Sequence, residues 1–239
     1  MWIKVCGNTS LEDAELAIEA GADAVGFIFA GGPRQMTPER VGIIVAQLPG
    51  SVETYGVFGN LDFDAITAIA EESGLSGIQL HGGADVKATI ELAGRLRAHF
   101  AKRFEVTGRL GRMRIHHVLH YHDGIKTELA ELSATRDIDA ALVDNRTATL
   151  LGGTGLSFDW QGARKSFLSA APKLRLIAAG GLNPENVAEA IFTLQPWGVD
   201  VASGVEASVG KKDPAKVREF VARARRAVIQ VNEASGKVH

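Results

Sequence analysis

The sequence predicts an α/β protein, a (β/α)8 TIM barrel in one domain over residues 1–239, and three observations predict it. Eight short apolar runs rich in Val, Ile and Phe recur along the chain. Longer amphipathic stretches separate them, so the period of the pattern alternates between strand and helix. The chain has 239 residues, 46% of them hydrophobic, which suits one large core and the usual length of such a barrel. A doubly wound open sheet is the alternative, but it usually has fewer strands and an identifiable switch point.

The strand candidates are WIKVC (2–6), DAVGFIF (23–29), VETYGVF (52–58), SGIQLH (76–81), RIHHVL (114–119), DAALVD (139–144), RLIAAG (175–180) and GVDVAS (198–203). Most are nearly continuous in apolar character, as expected of parallel strands covered on their outer face. Helices fill the gaps. SLEDAELAIEAG has Ser10 as N-cap, Asp13 three residues on, and Gly21 as the residue that ends the helix. TPERVGIIVAQL offers Thr37 as cap and Pro38 in the first turn, and NPENVAEAIFTL repeats that grammar with Asn183 and Pro184. KDPAKVREFVARARRAVIQV closes the chain as a helix with basic last turns. The basic, glycine-punctuated stretch 100–113 reads as an irregular loop, with strand character at FEV, and 234–239 reads as a frayed tail.

Charge and cysteine content narrow the function classes. Lys plus Arg total 26, Asp plus Glu total 28, and the net charge is −2, so nothing points to a nucleic-acid or membrane partner. A single cysteine forms no internal disulfide, which points to a reducing compartment. No leader-like or membrane-spanning segment is visible. The expectation is a cytoplasmic monomer or homodimer acting on a small molecule.

In a barrel of this type the chemistry lies at the C-terminal ends of the strands. Cys6 ends the first run, and Lys4, two residues earlier, points to the same side. An interior lysine favours the thiolate and so lowers the thiol pKa. A lone cysteine is otherwise a buried filler. Arg34 is the one cation of the loop AGGPRQMT and suits bidentate carboxylate recognition, although a loop arginine is commonly just solvated. Asp144 ends the sixth run, where a carboxylate is a candidate acid or base, an N-cap, or a partner for Arg146. GGTG (152–155), with Gly153 and Gly155, lets backbone amides approach an anion. Gly180 and Gly181 follow the seventh run, and Ser203 and Gly204 follow the eighth, with VEAS (205–208) as a candidate short helix. That pair of loops is where such barrels bind phosphate. His81 ends the fourth run and either reaches the mouth or is a satisfied rim residue. His116, His117, His120 and His122 invite a metal reading, but no second cysteine or helix-spaced histidine pair supports it.

KVCGNT (4–9), GADAVGFIF (21–29), PR (33–34), QLHG (79–82), LVDN (142–145), GGTGLSFDW (152–160), AGGLNPENV (179–187) and VDVASGVEASVGKKDP (199–214) together resemble the phosphoribosylanthranilate isomerase family of tryptophan biosynthesis. The match runs in order over nearly the whole chain and is weakest at 95–138. The resemblance implies an Amadori rearrangement of N-(5′-phosphoribosyl)anthranilate, with no metal and no redox cofactor. It implies Cys6 as general base and Asp144 as general acid. It places Arg34 near the anthranilate carboxylate, and the glycine loops around the ribose phosphate. The two catalytic groups must start in opposite protonation states, which calls for a raised carboxyl pKa and a lowered thiol pKa.

Three positions depart from the family pattern: Asn8 beside the base, the small-residue loop Ala30 to Pro33, and Val209 where proline is usual. They bear on loop rigidity and affinity. Two alternatives remain. The related histidine-pathway isomerase is expected to carry an aspartate where Cys6 stands. A barrel that binds a sugar phosphate without turnover would not need Cys6.

Overall fold

Eight parallel strands close into a barrel in sequential order, each hydrogen-bonded to its chain neighbours, with β8 returning to β1. The strands are β1 Trp2–Val5, β2 Ala24–Ile28, β3 Glu53–Phe58, β4 Gly77–Leu80, β5 Arg114–His120, β6 Ala140–Asp144, β7 Arg175–Ala179 and β8 Gly198–Val201. Each lies within or within one residue of its expected run. The computed structural model describes residues 1–82, 85–107, 113–122, 124–144, 164–165, 169 and 174–234. Its helices are α1 Leu11–Glu19, α2 Pro38–Val45, α3 Phe63–Glu72, α4 Val86–Thr107, α5 Ile125–Ala134, α6 Val187–Leu194 and α7 Pro214–Ala234. Among the described residues, no helix is long and apolar enough to cross a membrane.

Local chemistry sets the helix starts. Ser10 caps α1 by accepting the Asp13 N–H, and Thr37 caps α2 by accepting the Arg40 N–H, with Pro38 in the first turn. Gly21 follows α1 with a φ of 97°, a left-handed geometry that favours glycine. The Asp13 carboxylate does not close a capping box; it accepts the Lys212 backbone N–H at 3.1 Å. Asn183 does not cap α6 directly. Its side chain accepts the Glu185 and Asn186 N–H groups and forms a leading turn, and the helix starts at Val187.

Two sequence expectations need correction. Residues 100–107 are not an irregular loop with strand character at FEV: they are the last turns of α4. Residues 108–112 and 235–239 lie outside the described residues. VEAS is not a helix either. A 3₁₀ turn occupies Ser203–Val205, and β9 Glu206–Ser208 then pairs antiparallel with β10 Lys211–Lys212. The alternation of Glu206 and Ser208 about a single alanine is a strand period, and a tight turn at Val209–Gly210 lets it fold back. That turn is held by the Thr9 hydroxyl, which donates to the Gly210 carbonyl at 2.5 Å.

Strand alternation sorts the core into two shells. Ile3, Val5, Val25 and Phe27 face outward and pack with Ala14, Ala17, Val217 and Phe220 of the helices. The inward set is smaller: Trp2, Ala24, Tyr55, Val118, Ala140, Leu142, Ile177 and Ala179. At the N-terminal end Trp2 stacks on Trp197 with ring centroids 5.3 Å apart, and Arg175 lies 4.7 Å over Trp197. Trp2 Nε1 and the Tyr55 hydroxyl both donate to Glu53 Oε2, at 3.1 and 2.9 Å. Since the Tyr55 proton is committed to Glu53, the 3.2 Å contact with His116 has imidazole Nε2–H as donor. Burial, and then the charge of Lys4, push the His116 pKa down to about 3, so the ring is neutral.

This end of the barrel is a plug distant in role from the strand C-termini. Tyr55→Phe leaves the buried His116 Nε2–H and Glu53 each short of a partner. It should lower unfolding stability by about 1–3 kcal/mol, read by urea titration, while turnover stays within about twofold of the parent.

Candidate active site

Alternation carries Lys4 and Cys6 into the barrel while Ile3 and Val5 face the helices. The Lys4 ammonium is fully buried and donates to Asp200 Oδ1 and Gln79 Oε1, each at 2.9 Å. Lys4 and Asp200 are direct partners across the seam where β1 meets β8. Cys6 continues that seam: its N–H donates to the Val201 carbonyl at 2.7 Å. Cys6 is 4% exposed, and its side chain lies beside that of Lys4 over Gly26.

The thiol's acidity differs from the sequence expectation. Burial pushes the Cys6 pKa up, and this outweighs the downward pull of the Lys4 charge. Asp200 adds a further upward push and Lys212 a downward one. The net shift is upward chiefly because burial strips the thiolate of water, and the carboxylate on the ammonium offsets part of its pull. Lys4 keeps its proton: the Asp200 and Cys6 charges outweigh the burial that opposes its charge, and its pKa is raised.

The space for this arrangement comes from Gly26 on β2. A Cβ there would sit 2.7 Å from Cys6 Sγ and 2.9 Å from Lys4 Cε. Asn8 secures the other side of β1, against β2. Its fully buried amide donates to the carbonyls of Val5 and Gly26 at 2.9 and 3.1 Å. The residue that departs from the family pattern thus ties β1 to β2 just beyond Cys6.

Arg34 reaches the same rim. Its Nε and Nη2 donate to the two oxygens of Glu206 at 2.7 and 2.6 Å, a bidentate pair. The aliphatic stem crosses Gly7, where a Cβ would come within 3.0 Å of Arg34 Cδ. Burial pushes the Glu206 carboxyl up, but the hydrogen bonds and charges of Arg34 and Lys212 prevail and hold it below the usual range.

Asp144 ends β6 and is buried, 3% exposed, as expected of a strand-end carboxylate. Its register partners are His120 on β5 and Ala179 on β7. His81 follows β4, half-buried, with its N–H on the Phe58 carbonyl at 2.7 Å. The His81 and His120 rings lie 5.7 Å apart. The four clustered histidines diverge: His116 enters the barrel, His117 is buried with a pKa pushed down to about 4, foremost by burial, and His122 accepts the Gly124 N–H and pairs with Glu128. Among the described residues, no group of three or more His, Cys, Asp or Glu side chains could hold a metal ion.

The two strand-end loops meet. Gly180 and Gly181 have φ of 80° and 70°, and Gly181 faces open space. Gly204 lies against the Leu182 carbonyl, where any Cβ would collide. Ser203 opens the adjoining 3₁₀ turn. Gly153 and Gly155 lie outside the described residues, so the fold assembles Cys6, Arg34, His81, Asp144 and the Gly180–Gly181 and Ser203–Gly204 loops on one face.

Five further contributors escaped the sequence reading: Gly26, Gln79, Asp200, Glu206 and Lys212. Gln79 and Asp200 carried a usable signal, since each is a polar residue inside an otherwise apolar strand.

The N-(5′-phosphoribosyl)anthranilate (PRA) isomerase family model matches residues 3–223. The chain belongs to that family. An N-(5′-phosphoribosyl)anthranilate isomerase of Citrifermentans bemidjiense is 39% identical over 225 residues, covering 94% of this chain and 97% of that protein. One from Pelobacter propionicus is 40% identical over 220 residues, covering 92% and 93%. The solved phosphoribosyl anthranilate isomerase of Thermotoga maritima aligns with a TM-score of 0.77 at 33% identity, covering 95% of this chain and 99% of that one. A phosphoribosyl anthranilate isomerase in complex with reduced 1-(o-carboxyphenylamino)-1-deoxyribulose 5-phosphate aligns with a TM-score of 0.73 at 32% identity, covering 95% and 99%. The chain is an isomerase of tryptophan biosynthesis that converts N-(5′-phosphoribosyl)anthranilate to 1-(2-carboxyphenylamino)-1-deoxyribulose 5-phosphate.

Gly26→Ala tests the packing of this site. The added methyl must displace Cys6 Sγ or Lys4 Cε. Turnover should fall about 100-fold, while overpacking costs only about 1–3 kcal/mol of stability. Steady-state assays and thermal melts of the same sample separate the two effects.

Proposed function

We propose that Cys6 is the general base and Asp144 the general acid of the rearrangement, with Arg34 on the anthranilate carboxylate. The Gly180–Gly181 and Ser203–Gly204 loops, with Gly153 and Gly155, take the ribose phosphate, and His81 borders the substrate at the mouth. The observation that carries this reading is the buried thiol at the end of β1, side by side with a buried ammonium over Gly26.

Asp144 gives its proton to the furanose ring oxygen as the C1′–O bond breaks. The aniline nitrogen supplies the electron pair and becomes a Schiff base. That cation acidifies C2′–H, and the Cys6 thiolate takes the proton as the electron pair forms the enolamine. Tautomerisation of the enol gives the ketone. Anchoring phosphate and carboxylate at opposite ends of the substrate supplies the orientation that proton transfer at C2′ needs.

We read the whole chain as one domain that works in the cytoplasm, as monomer or homodimer, on this small phosphorylated substrate and on no nucleic acid. The lone buried thiol supports a reducing compartment, and the Thermotoga maritima relative is described as dimeric.

Loss of substrate fluorescence with freshly prepared N-(5′-phosphoribosyl)anthranilate tests the assignment. Cys6→Ser and Asp144→Asn should each lower kcat/KM by about 10³-fold and leave the melting temperature nearly unchanged. Survival of turnover in Cys6→Ser would remove the thiol from the mechanism.

The pH profile follows from the raised thiol pKa. A raised pKa lowers the thiolate fraction at neutral pH, and kcat/KM reports groups of the free enzyme. The rising limb of kcat/KM should therefore continue past the ordinary thiol range, and it should vanish in Cys6→Ser. A plateau already reached near pH 7 would contradict it.

A further inference from the structure

Lys212, on β10, is 2% exposed, and its ammonium has three partners. It donates to the Cys6 carbonyl at 2.6 Å, to the Ala202 carbonyl at 3.1 Å, and to Glu206 Oε1 at 3.3 Å. Glu206 is also the carboxylate that grips Arg34 through both of its oxygens. One buried amine thus joins the end of β1, the end of β8 and the partner of Arg34.

The charge count gives this a consequence. Arg34 and Glu206 alone form a neutral pair. A neutral pair offers an incoming carboxylate little net attraction, and the Glu206 oxygens face it with like charge. Lys212 places a second cation on the same carboxylate, so the three groups carry one net positive charge. The other titratable groups facing Lys212 are Asp13 of α1 and the Cys6 thiol. Asp13 is turned to the Lys212 backbone N–H. Lys4 and Asp200, beneath Cys6, are matched to each other.

We propose that Lys212 is a positioning residue that makes the Arg34–Glu206 pair an anion site, so that selectivity for substrates with a ring carboxylate depends on an amine that does not touch them. The proposal rests on the assignment of Arg34 to the anthranilate carboxylate. It deepens that reading by naming what keeps the arginine attractive to a second carboxylate.

The test compares two probes by calorimetric titration: 1-(2-carboxyphenylamino)-1-deoxyribitol 5-phosphate and the same compound without the ring carboxylate. The parent protein should prefer the carboxylated probe by about 30-fold, the scale of one charge-assisted hydrogen-bonded pair. Lys212→Met and Lys212→Gln should bring the preference to within about threefold, by weakening the carboxylated probe while the other binds as before. Lys212→Arg, which keeps the charge, should retain most of the preference, and it decides the matter if the neutral variants do not fold. Equal weakening of both probes would make Lys212 merely structural and overturn the proposal, as would an unchanged preference in the neutral variants or its loss in Lys212→Arg. A parent protein that binds both probes equally would instead overturn the role given to Arg34, and the proposal with it.

Discussion

The barrel closes on a buried ion pair. Lys4 and Asp200 are register partners across the β1–β8 seam, and neither has meaningful access to water. Burying two charges carries a desolvation penalty that an apolar pair would avoid, so the pair is a poor device for stability alone. Removing one partner would leave the other as an uncompensated buried charge, a cost of about 3–5 kcal/mol. What the pair does provide is a fixed ammonium directly below Cys6. The glycine at position 26 and the polar Gln79 follow from that choice, since one makes room for the ammonium and the other satisfies it.

The same pair limits what the ammonium can do. A lone buried cation would pull the Cys6 pKa down steeply, but it would seldom keep its own proton. Asp200 secures the Lys4 proton and in doing so cancels part of the field at the thiol. The outcome is a thiol kept neutral when no ligand is bound. A neutral thiol is the less reactive form toward oxidants and electrophiles. A large thiolate population at neutral pH is therefore traded against preservation of the only cysteine.

Much of this was legible in the sequence, and the reason is local. Lys4 and Cys6 are two residues apart, so strand alternation alone puts them together. The glycines after β7 and β8 announce backbone that approaches something closely, and Gly204 against the Leu182 carbonyl is that approach. What stayed hidden was set by register. Asp200 is 196 positions from Lys4, and Lys212 is 206 from Cys6. No periodicity reports which side chains a closing barrel brings face to face. The end of α4 was misread for a different cause. Residues 100–107 mix basic and apolar residues before a glycine, and the preceding turns of α4 continue the helix despite that. The raised thiol pKa was unreadable too, because desolvation is a property of the packed core.

The two ends of the barrel use polar groups in opposite ways. At the N-terminal end Trp2, Tyr55, Glu53 and His116 are matched donor to acceptor, and the neutral His116 adds no positive charge beneath Lys4. At the C-terminal end the groups are matched through charge: Lys4 with Asp200, and Arg34 and Lys212 with Glu206. A charged His116 would repel the Lys4 ammonium, whose charge already holds the imidazole pKa down. Keeping that imidazole neutral leaves Lys4, Asp200 and Lys212 as the charges that set the field at the thiol. The plug thereby protects the electrostatics of the site as well as the packing of the core.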